Sequence, residues 1–345
     1  MMSAPDRSET SPVLLIPYMW IGDFVRCHTV VRVLRARWPN RPVDVLTTKL
    51  CAPLLDYMPG VRSGILSDLP RGKIAFDRQR ALAGILRKNN YGTSLVMPRT
   101  WKAALAPALA HIPHRTGFIG EFRFGLLNDW RRGERALPRM VDCLSALALP
   151  PNIELPMDWP EPQLVVSQTD IDTWRSAQTL GANKAVALAP GAVGPAKRWS
   201  YYAEAARELT GRGYDVWVIG GPGEKAAAAD IVRAAGPHAR DLTGDDLRNG
   251  IMALAAAALV ISNDSGLLHV AAAIGSPTIG IFGPTSPFHY APLNPIDAII
   301  ETSTEVSCRP CHKPTCRVQH HRCMRDIPVG DVIGAADRTL QAAKA

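Results

Sequence analysis

Short runs of apolar residues alternate along the chain with longer stretches in which apolar residues recur at helical spacing. The run at 13–16 precedes a helical stretch from Phe24 to Trp38, and the run at 185–189 precedes another from Tyr201 to Gly211. In the first stretch one apolar face is expected from Phe24, Cys27, Val31, Leu34 and Trp38, with Arg26, Arg32, Arg35 and Arg37 elsewhere. Buried strands that alternate with amphipathic helices predict an α/β fold with parallel sheets.

A proline-rich stretch from Pro150 to Pro162 interrupts this alternation, because proline cannot continue a helix or a sheet ladder. It divides the chain into two α/β domains, predicted at residues 1–155 and 156–345. Two such domains facing each other form a cleft, which is the default place for a ligand.

The stretch 262–275 changes from apolar to polar and back within a few residues. Apolar runs on both sides predict strand, polar turn, short helix and strand, with the turn formed by Asn263, Asp264, Ser265 and Gly266. The carboxyl end of a parallel strand that feeds a helix is where ligands bind. Two interpretations of Asp264 remain open at this point, a ligand-binding role and a simple helix cap.

Other strand-to-helix junctions also carry polar residues or glycine. Asp23 stands at the start of the first helix, and Gly191 and Gly194 precede the adjacent cations Lys197 and Arg198, which offer counter-charge to phosphates. The loop at 282–287 is expected near Asp264. The loop at 219–225 fits neither the dinucleotide fingerprint nor the phosphate loop of NTPases, which disfavours both of those classes.

The composition is that of a globular protein, with 47% hydrophobic and 20% charged residues among 345. The first twelve residues lack the apolar core of a secretion signal and no apolar run is long enough to span a membrane, so we expect a cytoplasmic protein. The net charge of +8 is uneven, because residues 1–160 contain 22 Lys and Arg against 13 Asp and Glu. This asymmetry indicates an anionic partner for the first half; we expect no nucleic acid.

Four of the seven cysteines cluster near the end of the chain, at Cys308, Cys311, Cys316 and Cys323, with three histidines among them. This set offers enough ligands for a structural zinc ion, although the spacing is not that of a standard zinc finger. Reduced, partly buried thiols are the alternative, and a disulfide is not expected in the cytoplasm.

Seven segments together resemble the bacterial lipopolysaccharide heptosyltransferases of glycosyltransferase family 9, most closely the heptosyltransferase II type. They occur in order along most of the chain, and the ordered set is more specific than any one motif. The segments are 20–23, 112–117, 125–128, 190–199, 241–244, 263–269 and 282–287.

The resemblance implies a GT-B fold, two Rossmann-like domains with the acceptor on the first and the nucleotide sugar on the second. It implies transfer of L-glycero-D-manno-heptose from ADP-heptose to the first heptose of the lipopolysaccharide inner core, with no metal or other cofactor in catalysis. By position, Asp23 resembles the general base and Lys197 the contact to the diphosphate. The remaining donor-binding positions are Gly191, Gly194, Arg198, Glu224, Asp264, Ser265, Gly266 and His269.

The acceptor is expected to be anionic and anchored at the membrane surface, so the basic first half should contact it, with peripheral membrane association. The candidate contacts are Arg99, Lys102, Arg115 and Arg123.

Two departures from the family pattern affect the expected pockets: the loop after Pro190 is one residue shorter, and Pro17, Tyr18 and Met19 replace a more usual Gly-Pro-Ser.

The alternatives to a heptosyltransferase are a GT-B transferase that uses another nucleotide sugar and a non-catalytic protein that binds nucleotide sugars. The presence of both Asp23 and Lys197 argues against the second.

Overall fold

The computed structural model describes residues 10–70, 73–181 and 183–342. The chain forms two compact units that divide between Gln163 and Leu164. The predicted boundary after residue 155 lies in the proline-rich segment, and residues 150–163 form neither helix nor strand.

Six strands in the described part of the first unit form a parallel sheet with the order β3-β2-β1-β4-β5-β6. The strands are β1 (Val13–Ile16), β2 (Val43–Thr47), β3 (Ser63–Leu66), β4 (Thr93–Val96), β5 (His114–Phe118) and β6 (Asp129–Arg131). The helices are α1 (Ile21–Arg37), α2 (Ala52–Leu55), α3 (Phe76–Lys88), α4 (Trp101–Leu109) and α5 (Met140–Ala146), with a 3-10 turn at Glu134–Ala136.

Six further strands in the described part of the second unit form another parallel sheet, with the order β12-β11-β10-β7-β8-β9. The strands are β7 (Ala185–Ala189), β8 (Asp215–Val218), β9 (Ala239–Asp241), β10 (Leu259–Asn263), β11 (Thr278–Ile281) and β12 (Ala298–Ile300). The helices are α6 (Gln168–Ala177), α7 (Tyr202–Gly211), α8 (Lys225–Ala235), α9 (Leu247–Ala256), α10 (Gly266–Ile274), α11 (Pro287–Tyr290), α12 (Arg322–Arg325) and α13 (Val329–Ala342), with 3-10 turns at Pro195–Lys197, Pro222–Glu224 and Gly236–His238.

The first strand of each unit is buried along its whole length. Every residue of β1 and of β7 is buried, which explains why their sequences are continuous apolar runs rather than alternating ones. Helices cover the sheets, and in the second unit the core includes Trp217 and Leu188. The α/β fold with parallel sheets predicted from the alternation is therefore confirmed.

The first helix differs from its prediction in one respect. Four of the five predicted face residues are buried and Trp38 follows the helix end, but Arg26, expected outside the apolar face, is buried as well. Its guanidinium pairs with Asp23 one turn earlier on the same helix. A buried arginine needs a partner of this kind, and periodicity alone does not reveal one.

No helix in the described ranges is long and apolar enough to cross a membrane.

A buried histidine on α1 forms a hydrogen bond to the end of the proline-rich segment. His28 Nδ1 accepts a hydrogen bond from the backbone N–H of Gln163 at 2.9 Å, and Nε2 donates to the carbonyl of Pro59 at 2.8 Å. This pattern requires the neutral ring. Burial lowers the pKa of His28, and the nearby Arg32 cation lowers it further.

We expect the contribution of His28 to the free energy of unfolding to fall as the pH drops below about 6.5. The unfolded chain then binds a proton more readily than the native chain, and protonation of Nδ1 removes the bond to Gln163, worth ~1 kcal/mol. Urea unfolding at pH 7.5 and 5.5 should show a smaller pH effect in His28→Gln than in the parent. The exposed His114→Gln variant is the control, and an unchanged pH effect in His28→Gln would contradict the assignment.

Candidate active site

The strand order of the second sheet places three loops side by side at its carboxyl edge. Strand β10 lies between β7 and β11, with Ser262 opposite Ala189 and Asn263 opposite Ile281. The chain turns to the other half of the sheet between β7 and β10, so this is a topological switch point. Ligands of open α/β sheets bind at such points.

A carboxylate joins these three loops. Asp264, after β10, accepts hydrogen bonds on Oδ2 from Lys197 Nζ, after β7, and from Thr285 Oγ1, after β11, both at 2.6 Å. The side chain of Asp264 is 6% exposed and that of Lys197 is 24% exposed. Lys197 is therefore held at the surface by a buried anion.

The capping interpretation of Asp264 is wrong. The N-cap of α10 is Ser265, whose side chain makes no capping hydrogen bond, while Asp264 bonds to other loops. Ser265 Oγ lies 3.2 Å from Ser262 Oγ, and Gly266 begins the helix. His269 lies inside α10 and is buried.

Asn263 fixes the loop that carries Lys197. Its side chain is fully buried; Oδ1 accepts from the backbone N–H of Trp199 at 3.2 Å and Nδ2 donates to the carbonyl of Pro190 at 2.7 Å. The two ends of the loop are thereby held by one amide.

Glu224 packs beneath the start of the same loop. A Cβ added at Gly191 would come within 2.8 Å of the Glu224 carboxyl carbon, so glycine makes this approach feasible. Glu224 Oε2 accepts from the backbone N–H of Gly221 at 3.0 Å, and Oε1 lies 3.5 Å from the Arg198 guanidinium. Glu224 thus links the two predicted donor loops.

The cysteine-rich segment, residues 308–323, packs against the predicted donor loops. The backbone N–H of Ala196 donates to Pro314 O at 3.0 Å, and His321 Nε2 donates to Ala196 O at 2.7 Å. The backbone N–H groups of Cys311 and His312 both donate to Pro284 O. This segment therefore supports the loops on which Lys197 and Thr285 lie.

The four predicted zinc ligands are not arranged around one point in this structure, and the zinc site stays a prediction. In the ranges that the structure describes, no group of three or more His, Cys, Asp or Glu side chains is arranged to hold a metal ion. Cys308 Sγ lies 3.8 Å from His320 Nε2, and Cys323 is buried, which raises its pKa to about 11. These residues do not fit a closed zinc site as they stand.

Asp23 lies in the first turn of α1, directly after the loop that follows β1. Its Oδ1 accepts a hydrogen bond from the buried Arg26 at 2.7 Å. Among the described residues, nothing hydrogen-bonds to Oδ2. The arrangement fixes the carboxylate and leaves one oxygen for another molecule.

A second group of ionisable residues accompanies Asp23 in the first unit. Arg99 Nε and Glu134 Oε2 are 2.9 Å apart, and burial raises the pKa of Glu134 despite Arg99 and Arg123. Burial and the Glu134 charge also raise the pKa of Tyr18. Glu134 was not predicted from the sequence, since it stands in no recognisable motif.

The four predicted acceptor contacts fall into two groups. Arg99 is half-exposed, and Lys102 is on α4. Arg115 donates to the carbonyls of Ile112 and Leu126, and the buried Arg123 donates to those of Pro98 and Phe118. Arg115 and Arg123 therefore have structural partners, and their role as acceptor contacts stays a prediction.

Several residues beside Lys197 were also missed. Thr285 and Asn263 lie inside family segments, so the signal was present; His312 carried a signal only as a histidine of the cysteine cluster, and Tyr290 carried none. Lys197 Nζ lies 5.8 Å from the centre of the Tyr290 ring, and His312 lies against the same ring. Burial, His289 and Lys197 lower the pKa of His312.

Two doubly wound parallel units, one with a fixed cation at its switch point and one with a carboxylate after its first strand, are typical of GT-B glycosyltransferases. Residues 79–322 match the model of the family described as glycosyltransferase family 9 (heptosyltransferase). The chain belongs to this family and is a glycosyltransferase.

Individual relatives agree with this assignment. Lipopolysaccharide heptosyltransferase 2 of Salmonella typhimurium is 37% identical over 82% of this chain and 85% of its own length. Lipooligosaccharide heptosyltransferase 2 of Haemophilus ducreyi is 31% identical over 95% of this chain and 99% of its own.

The solved structure of the ADP-heptose lipopolysaccharide heptosyltransferase II of E. coli is similar along almost the whole chain. The TM-score is 0.86 at 33% identity, covering 97% of this chain and 100% of that one. A family 9 glycosyltransferase of Veillonella parvula, at 19% identity and a TM-score of 0.83, shares the fold over 96% and 98% of the two chains.

The zinc prediction is checked by elemental analysis of the chain purified without chelator. A four-cysteine site requires about one zinc per chain, lost in Cys316→Ser. Cys143→Ser, outside the segment, is the control and should leave the metal content unchanged. A folded parent chain without zinc would contradict the prediction.

Proposed function

We propose that the chain transfers L-glycero-D-manno-heptose from ADP-heptose to the first heptose of the lipopolysaccharide inner core. The observation that carries this proposal is Lys197, fixed by Asp264 and Thr285 at the switch point of the second unit. The similar proteins support the donor and acceptor classes, because one is an ADP-heptose heptosyltransferase and the other a lipopolysaccharide heptosyltransferase.

The donor diphosphate binds beside Lys197. Displacement of ADP places negative charge on the leaving phosphate oxygen, and a fixed cation stabilises that charge more in the transition state than in the ground state. The N-terminus of α10 adds backbone N–H groups and a partial positive charge. Asp264 does not contact the diphosphate in this scheme, because two anions would repel; it positions Lys197.

The acceptor hydroxyl is deprotonated by Asp23. A sugar hydroxyl is a weak nucleophile, so a carboxylate within hydrogen-bond reach accelerates its attack on the anomeric carbon. Oδ2 takes the proton while Arg26 holds Oδ1. No step of this scheme uses a metal ion.

The acceptor approaches the basic first unit, and the reaction takes place at the cytoplasmic face of the membrane through peripheral contact. Of the four predicted contacts, Lys102 and Arg99 are left to meet an anionic acceptor, Arg99 while paired with Glu134, since Arg115 and Arg123 are bound to backbone carbonyls.

The second candidate is a transferase of the same fold with another nucleotide sugar. Turnover of purified ADP-heptose against other nucleotide sugars, with a heptosylated inner-core acceptor, separates the two. A chain that binds nucleotide sugar without any turnover would instead be the non-catalytic alternative.

Replacing Asp23 with Asn should reduce turnover by ~10²–10⁴ while ADP affinity stays the same, because only the base is lost. Steady-state kinetics and ADP titration of the same preparation measure the two quantities. Asp77→Asn, an exposed acid in the first turn of α3, is the matched control. Unchanged turnover in Asp23→Asn would remove Asp23 from catalysis.

Replacing Lys197 with Ala should weaken ADP binding by about 1.5–3 kcal/mol, the value of a hydrogen bond to a charged group. Calorimetric titration with ADP measures this loss. Lys184→Ala is the control, because Lys184 is an exposed lysine directly before β7, at the opposite edge of the same sheet. Equal ADP affinity in Lys197→Ala and the parent would place the diphosphate elsewhere.

A further inference from the structure

The first unit contains a cavity of about 320 Å³ at the carboxyl ends of β1, β2 and β4. It extends between helices α3 and α4, and its volume is in the range of small-molecule sites. Its walls are mostly apolar and include Ile16, Leu46, Leu82, Leu86, Ala103 and Ala106. An apolar wall favours a ligand with an apolar body.

Two residues that line this cavity each carry a buried oxygen atom with no hydrogen-bond partner among the described residues. Gln79 is 4% exposed, and its Nε2 donates to Lys102 O at 3.1 Å. Its Oε1, and Oγ1 of Thr48, are buried without a hydrogen-bond partner among the described residues. Buried polar atoms are rarely left in this state, so the ligand should carry a hydroxyl group along its apolar body.

The charged residues of the cavity wall favour one sign of charge on the ligand. Lys73 and Lys102 both line it, and none of the described lining residues is acidic. Lys73 is exposed. A ligand whose body enters the cavity should therefore present an anionic group to these two lysines.

Exposed apolar side chains adjoin the lining residues along the chain. Leu50, Leu66, Ile74 and Phe76 are between 46% and 56% exposed, and they stand within two residues of the lining residues Thr48, Ser67 and Ala75. Exposed apolar side chains together with lysines are typical of surfaces that meet a membrane.

We propose that this cavity binds the acyl chain of an anionic membrane lipid, with the chain against Leu82 and Ala103 and the head group at Lys73 and Lys102. A hydroxyl on the chain would bond to Gln79 Oε1. The proposal rests on the proposed function only in that the acceptor is itself carried by a lipid. The lipid that enters is either the acceptor or a neighbour in the bilayer.

Dodecyl phosphate is the probe, titrated below its micellar concentration against the full chain by calorimetry. We expect saturable binding of one molecule per chain, with weaker binding of the neutral dodecyl maltoside and none of inorganic phosphate at this site. Binding of inorganic phosphate as strong as that of dodecyl phosphate would overturn the proposal.

Ala103→Phe should lower the affinity for dodecyl phosphate about tenfold, because it displaces roughly two methylene groups. Ala81→Phe, on the exposed face of α3, is the matched control. Lys73→Gln should lower the affinity for dodecyl phosphate about threefold or more, and Lys88→Gln is its control. Because Lys73 is at the surface, this substitution does not disturb the packing of the core. Circular dichroism verifies that each variant is folded. A folded Lys73→Gln or a folded Ala103→Phe that binds dodecyl phosphate as tightly as the parent would overturn the proposal.

Gln79→Met tests the hydroxyl contact. The parent should bind hydroxylated dodecanoate about threefold to tenfold more tightly than dodecanoate, and the variant should lose this preference but keep the chain. No preference in the parent would remove the hydroxyl from the proposal.

Heptose transfer to acylated and deacylated acceptors distinguishes the sources of the lipid. If Ala103→Phe raises KM only for the acylated acceptor, the acceptor's own chain enters the cavity. If KM is unchanged for both while dodecyl phosphate binding is lost, a bilayer lipid enters. Absence of transfer to either acceptor by the parent would refute the proposed function, and the binding titrations would still decide the cavity.

Discussion

The buried carboxylate of Asp264 is the group on which the proposed donor site depends. An unpaired carboxylate at this depth would cost on the order of several kcal/mol, so its partners are held firmly. Lys197 and Thr285 bond to the same oxygen, and they come from the loops after β7 and β11. Because β10 lies between those strands, satisfying one carboxylate sets the relative positions of three loops.

A second layer of contacts keeps this arrangement from relaxing. Asn263 holds both ends of the Lys197 loop, and the cysteine-rich segment binds its middle through Ala196. Gly194 has φ of +92° and a Cβ there would lie 2.6 Å from Pro314 O, so the loop and the segment meet without room for a side chain. The segment thus has a structural role whether or not it binds a metal.

The sequence predicted the parallel α/β fold well, because fully buried strands and amphipathic helices leave a local pattern that one chain displays. It also predicted a polar turn after β10, since the polar residues of 263–266 break an apolar run, and the structure brings this turn together with the loops after β7 and β11. It did not predict pairings between distant positions. Lys197 and Asp264 are 67 residues apart, and nothing local to either indicates the other. The same limit explains the buried Arg26 and the carbonyl partners of Arg123, because burial of a cation depends on groups that the fold brings to it.

The cationic side chains of the first unit differ in whether they bond to charged or to neutral partners. An arginine paired with a carboxylate, such as Arg62 with Asp44, contributes little net field. Arg115 and Arg123 bond instead to neutral carbonyls, and although burial lowers the pKa of each guanidinium, arginine remains a cation at neutral pH. Their charge therefore still acts at a distance of about a Debye length, ~10 Å at 0.1 M salt, even though their N–H groups are occupied. Long-range attraction of the proposed anionic acceptor and direct contact with it can consequently come from different residues of the same unit. Every cation without a carboxylate partner contributes to the attraction, whereas only cations whose N–H groups reach solvent can make contact.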